Sequence, residues 1–146
     1  DFILATPRTF FLVPPNPADA SMLWLLPRSL GLQRAKELVL SGRRMEAAEA
    51  ESLGMVAEIV PAPALATRAL AFARRFRNAP TEALAITKAS LTQSLHLDQK
   101  ALAGIEALAQ AVAATSPYHR QAVERFLAKQ PLEFDWDRME REDPRP

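Results

Sequence analysis

The hydrophobic period of this chain changes at Pro61, and that change restricts the fold more than any other feature. Before Pro61, short apolar runs such as "DFILAT" and "VAEIV" alternate with longer amphipathic runs that stop at Gly31, Gly42 and Gly54. After it, Leu65, Ala69, Phe72, Ala73 and Phe76 form an i, i+4, i+7, i+8, i+11 stripe, and later runs keep that helical spacing. A strand presents alternate residues to one face, whereas a helix presents every third or fourth. The pattern therefore predicts an α/β segment over residues 1–61, a helical region over 62–130, and a charged tail over 131–146.

"DFILAT" predicts a buried strand from Phe2 to Thr6, ended by Pro7. "TFFLV" predicts a second short strand before a loop stiffened by Pro14, Pro15 and Pro17. A helix is expected from Asp19 or Ala20 to about Leu30, with Pro27 kinking or breaking it and Gly31 as its stop. Leu32 to Leu40 predicts the next helix, closed by Gly42, and "EAAEAESLG" a short one closed by Gly54. "VAEIVP" reads as a strand with alternating faces. Beyond the stripe, "TEALAITKASLTQSL" and a run marked by Leu102, Ile105, Leu108 and Val112 are helical. Ser116 and Pro117 are an N-cap and a first-turn proline for a last helix, with Val123, Phe126 and Leu127 on one side. The tail "LEFDWDRMEREDPRP" is expected to be peripheral and to order only against a neighbour.

Charge and cysteine content exclude several functions. With 18 basic and 17 acidic residues the net charge is +1, which provides no drive toward nucleic acid or an anionic membrane. The chain has no cysteine, so disulfides, thiolate catalysis and thiolate zinc sites are ruled out. Two histidines far apart in sequence, His96 and His119, make no metal site, and none is expected. The apolar run "MLWLL" is far too short to span a bilayer, and a cytoplasmic location is expected. The chain starts in mid-strand without an initiator Met, so a piece of a longer protein is expected.

"SLGLQRAKELVLSGRRMEAAEAESLGMVAEIVP" resembles the segment that follows the active site in the enoyl-CoA hydratase/isomerase, or crotonase, superfamily. The matching positions are Gly31, Arg34 to Leu38, Gly42, Glu49, Ala50, Gly54, Val56, Val60 and Pro61. "DFILATP", "PTEALAITKASL" and "YHRQAVERFLAK" are similar to that family's opening strand and C-terminal helices. The resemblance covers nearly the whole chain. It implies an α/β crotonase-like (ClpP/crotonase) fold, seen from its late core strands to the helical trimerisation region. It also implies an acyl-CoA thioester as substrate, a homotrimer or dimer of trimers, and no cofactor beyond the coenzyme A of the substrate. The family's oxyanion-hole amides and one glutamate come from segments that precede "DFILATP". The family also has further residues between "ATPRTFF" and "LVP", often with a catalytic glutamate in a Pro-Glu pair. A gap between Phe11 and Leu12, too wide for a peptide bond, is therefore expected.

In the family's isomerases a catalytic carboxylate lies nine residues before the Arg of "LPR", and that register falls on Asp19. The related chlorobenzoyl-CoA dehalogenases have an Asp nucleophile at the same spacing. This chain differs from both by inserting "PNPA" between "LVP" and Asp19. Two readings stand side by side: Asp19 as acid/base or nucleophile, and Asp19 as an N-cap satisfying the first amides of an apolar helix. Phe126 and Lys129 match an F-x-x-K pattern that in the family reaches coenzyme A, often across a subunit boundary, with core packing and a solvated charge as their ordinary roles. Trp24 is a candidate wall of an acyl or aryl pocket, or simply core. "RRFR" at Arg74 to Arg77 reads as a solvated face, and the pair Arg43-Arg44 as loop charges by default, with a phosphate contact as the alternative.

The expectation that follows is an acyl-CoA enzyme that stabilises a thioester enolate and moves a proton with a carboxylate. The alternatives are a non-catalytic oligomerisation subunit of the same fold, and a thioester dehalogenase or hydrolase with Asp19 as nucleophile.

Overall fold

The computed structural model describes residues 1–14 and 22–142. Asp19 and the prolines at 15 and 17 lie outside the described residues. The chain divides into two compact units, the first over Asp1–Ala71 and the second from Phe72 onward.

In the first unit, β1 (Leu4–Ala5) pairs in parallel with β4 (Glu58–Ile59), so that Leu4 faces Glu58 and Ala5 faces Ile59. Parallel pairing needs a long crossover, and everything between the two strands supplies it. β2 (Phe10–Leu12) and β3 (Arg44–Glu46) pair antiparallel, with Phe11 opposite Met45. The strand runs through Phe11 and Leu12 in unbroken register with β3, so the expected gap between them is not there. β1 is shorter and less covered than "DFILAT" suggested: Phe2 and Ile3 are exposed, because among the described residues β1 has one strand neighbour only.

Helices α1 (Met22–Leu30) and α2 (Leu32–Ser41) pack on each other with Gly31 alone between them. Gly31 takes φ 81°, ψ 153°, a conformation closed to side-chain-bearing residues, which is how two helices abut without a loop. α1 continues through Pro27 rather than breaking there. Arg28 Nη1 and Ser29 Oγ donate to the carbonyls of Trp24 and Leu25 beside the proline. Gly42 ends α2 in the left-handed conformation, its N–H donating to Leu38 O at 3.1 Å. α3 (Ala47–Ser52) follows β3 directly. The core of this unit is Ala5, Leu38, Met45, Ala47, Ala50 and Val56, with Phe11, Leu30, Leu53, Met55 and Ile59 packed around it.

One charged pair lies inside the first unit. Glu58 sits on β4 in register with Val56 and Val60, both buried, and is itself buried. Its carboxylate takes Arg68 Nε at 2.7 Å and Nη2 at 3.0 Å, a two-pronged bond that ties β4 to α4 (Leu65–Arg74). Between β4 and α4 the chain makes one 3-10 turn at Ala62–Ala64.

The second unit contains α5 (Thr81–Gln93), α6 (Gln99–Ala114), α7 (Pro117–Leu127) and α8 (Trp136–Glu142). Asp98 and Ser116 cap α6 and α7 by accepting from Ala101 N and His119 N. The tail does not wait for a neighbour. Trp136 packs against Phe72 and Phe76 with ring centroids 5.6 and 5.3 Å apart, and Phe134 lies 6.3 Å from Phe76. Arg75, expected on a solvated face, is buried instead, with its guanidinium over Phe72 and Trp136. The charges of the tail conceal an aromatic pair, and that pair docks it.

Candidate functional site

The first unit contains an apolar cavity of about 260 Å³. Its wall is built by β2 and the residue after it (Phe10, Phe11, Leu12, Val13), by Met22 and Leu26 of α1, and by Leu38, Arg43, Met45 and Met55. Met22 and Leu26 are one helical turn apart and so share a face of α1. The described chain ends at Pro14 beside β2 and resumes at Met22, and residues on both sides of that interval, Val13 and Met22, line the cavity. Asp19 belongs to the interval.

Arg43 is the charged residue of this wall, and its guanidinium is fully engaged. Nε donates to Glu37 Oε1 at 2.5 Å and Nη2 to Glu37 Oε2 at 2.9 Å. Nη1 and Nη2 donate to Glu49 at 2.8 and 2.6 Å, and Nη1 also reaches Arg44 O at 3.1 Å. A guanidinium has five N–H donors, and these contacts use them all. The clamp joins the end of α2 to α3 around the Gly42 turn. The hydrogen bonds from Arg43 hold both carboxyls below the usual range, and the two carboxylates in turn raise Arg43 further above its ordinary value. Arg44, next along, stacks its guanidinium 4.2 Å above the Phe10 ring.

Sequence reasoning treated Arg43 as a loop charge and did not anticipate the cavity. Glu37 and Glu49 lie six residues to either side of Arg43. That symmetry, with a turn-forming Gly42 between, was the available signal. Trp24 is half-buried on α1 under the guanidinium of Arg28, 4.1 Å from its ring, and is not among the residues that line the cavity. Phe126 is exposed near the end of α7 in the second unit. Lys129 follows it, exposed and at φ 53°.

The family model for enoyl-CoA hydratase/isomerase matches residues 16–137, and the chain belongs to that family. It is similar to an enoyl-CoA hydratase/isomerase of Cupriavidus metallidurans CH34, with 42% identity and a TM-score of 0.87 over 92% of this chain and 52% of that one. A structure of an enoyl-CoA hydratase subunit from Geobacillus kaustophilus HTA426 aligns with a TM-score of 0.84 at 25% identity, covering 92% of this chain and 54% of that one. The 1,2-epoxyphenylacetyl-CoA isomerase of Escherichia coli K12 is 32% identical over 80% of this chain and 44% of its own length. The fold is therefore that of the crotonase superfamily, and the chain spans about half the length of these relatives. Among the described residues no helix is long and apolar enough to cross a membrane.

Proposed function

We propose that this chain is part of an acyl-CoA enzyme of the hydratase/isomerase class. The observation that carries the reading is the apolar cavity flanking the segment of Asp19, in a chain of this family. The relatives' names share one substrate feature, a coenzyme A thioester, and differ in the reaction. The chemistry they have in common needs two parts: amide donors that stabilise the thioester enolate, and a carboxylate that moves a proton beside it. Asp19 is the carboxylate in this reading. The acyl group enters the cavity, and Phe126 and Lys129 receive the adenine and a phosphate of coenzyme A bound by a neighbouring copy of the chain. Neither metal nor redox cofactor takes part. The second unit exposes Leu91, Leu108, Phe126 and Leu127, at 66%, 71%, 75% and 74%, which supports assembly into a trimer or a dimer of trimers.

Asp19→Asn tests the reading in the complete protein, because it keeps the shape and most of the capping ability but removes the proton-transfer group. Turnover is expected to fall by roughly a hundredfold or more, with acyl-CoA affinity and melting temperature unchanged. Lost stability with turnover per folded enzyme intact would make Asp19 a cap. A covalent adduct on Asp19 after one turnover, detected by mass spectrometry, would make it a nucleophile.

A further inference from the structure

The cavity has an unusual lining. The chain has four methionines, and three of them, Met22, Met45 and Met55, are in this wall beside Phe10 and Phe11. Methionine is unbranched and polarizable, and its sulfur makes favourable contacts at the edge of an aromatic ring. The methionines share the wall with the branched side chains of Leu12, Val13, Leu26 and Leu38, and it is the methionine part that can mould itself around the edge of a flat ring. Size agrees with that chemistry. A dry apolar cavity of about 150 Å³ admits one benzene, so about 260 Å³ admits a ring with the short chain that attaches it.

Charge narrows the ligand further. Arg43 is the one side chain in the wall that a ligand carboxylate would seek. All five of its donors are already bound to Glu37, Glu49 and Arg44 O. An acyl group ending in a carboxylate would lose its hydration there and find no free side-chain donor among the described lining residues, a cost that disfavours it. The clamp also holds the cavity's shape, because Arg43 bonds to α2, which carries Leu38, and to α3, which follows Met45.

We infer that the Met22–Met45–Met55 cavity selects an uncharged, ring-bearing acyl group of phenyl size, in preference to straight-chain or carboxylated acyl groups. The inference rests on the proposal that the chain handles acyl thioesters, and its test is separate from turnover. The protein is labelled with methyl-¹³C methionine and titrated with phenylacetyl, octanoyl and ω-carboxyhexanoyl thioesters of N-acetylcysteamine. Met139, on α8 and outside the cavity lining, is the internal control. The phenylacetyl ester should move the Met22, Met45 and Met55 methyl signals in a saturable way by its ring current, leaving Met139 in place. It should bind at least tenfold more tightly than the octanoyl ester, with no saturable response to the carboxylated one. Met22→Trp fills the cavity from its half-buried rim, and should weaken phenylacetyl binding at least tenfold while the Met45 signal stays dispersed. Equal or tighter binding of the octanoyl ester, saturable binding of the carboxylated ester, equal shifts at Met139, or unchanged affinity in Met22→Trp overturns the inference. Binding of the aryl ester by a complete protein that turns over no thioester would sustain it while ending the enzymatic reading. Turnover of straight-chain thioesters alone would do the reverse.

Discussion

The two units of this chain use their apolar residues differently. Every buried apolar side chain among the described residues, from Ala5 to Val60, is in the first unit. The second unit buries Arg75 and packs an aromatic cluster around it, while its longer helices leave Leu91, Leu108, Val112, Phe126 and Leu127 exposed. One unit is held by its own core, around a cavity. The other has no buried apolar side chain among the described residues and leaves helix faces exposed, although the first unit also exposes Leu40 at 78% and Leu70 at 59%. Stability and assembly should therefore respond to different substitutions, and the ion pairs should divide in the same way.

The sharpest break of this contrast is at Glu58. Glu58→Gln leaves Arg68 buried without its carboxylate, and removing one member of a buried pair costs about 3–5 kcal/mol. Urea unfolding should show a loss of that order. The paired replacement Glu58→Leu with Arg68→Met should recover most of it, because two apolar groups leave no buried charge behind. A double variant as unstable as the single would mean that the pair is not isolated from water.

Next in size is a matched comparison across the units. Met45 is 2% exposed in the core, and Met45→Ala should cost about 2–5 kcal/mol, leaving the oligomeric state of the folded protein unchanged. Leu127→Ser, on an exposed face of α7, should do the opposite: unfolding of the monomer shifts by less than about 0.5 kcal/mol, while light scattering reports a smaller species. A stable assembly in Leu127→Ser would remove α7 from the contact surface, and a large loss of monomer stability would place Leu127 in a core.

How legible each region was follows from the range of the forces involved. The Gly42 stop and the Ser116–Pro117 cap depend on residues within one turn, and the sequence shows both. β3 was not foreseen, since Arg44–Glu46 is a strand only through its pairing with β2, far earlier in the chain. Pro27 suggested a break by its local rule, yet α1 runs through it. Glu58 was readable in principle: it takes the place of an apolar residue between Val56 and Val60, and a charge in that register needs a buried partner. Arg68, ten residues on and across a turn, could not be named without the fold. The same holds for the cavity, whose three methionines are scattered over α1, β3 and the loop after α3. The family register on Asp19 came from spacing alone, and Asp19 lies outside the described residues.

The smallest expected effect concerns the exposed counterpart of the Glu58–Arg68 pair. Hydrogen bonds from Arg43 lower the pKa of Glu37 and of Glu49 from their ordinary value of 4.5. Each carboxyl therefore binds its proton less readily in the folded chain than in the unfolded one. Its contribution to stability is complete above pH 4.5 and is lost as the pH falls through the lower, folded value, while Arg43 stays charged throughout. Arg43→Gln should thus be less stable than the parent at neutral pH, and the two urea midpoints should converge as the pH drops below 4.5. The side chains of Arg43 and Glu37 are 37% and 51% exposed, so solvent and salt weaken the interaction, and 1 M NaCl should narrow the gap at pH 7. The cost of Glu58→Gln, at a pair only 8% and 5% exposed, should barely respond to the same salt. If the two variants were equally sensitive to salt, the clamp at Arg43 would be as dry as the pair inside the first unit, and the Arg43 side of the cavity wall would join Leu38 and Met45 in the core rather than form its rim.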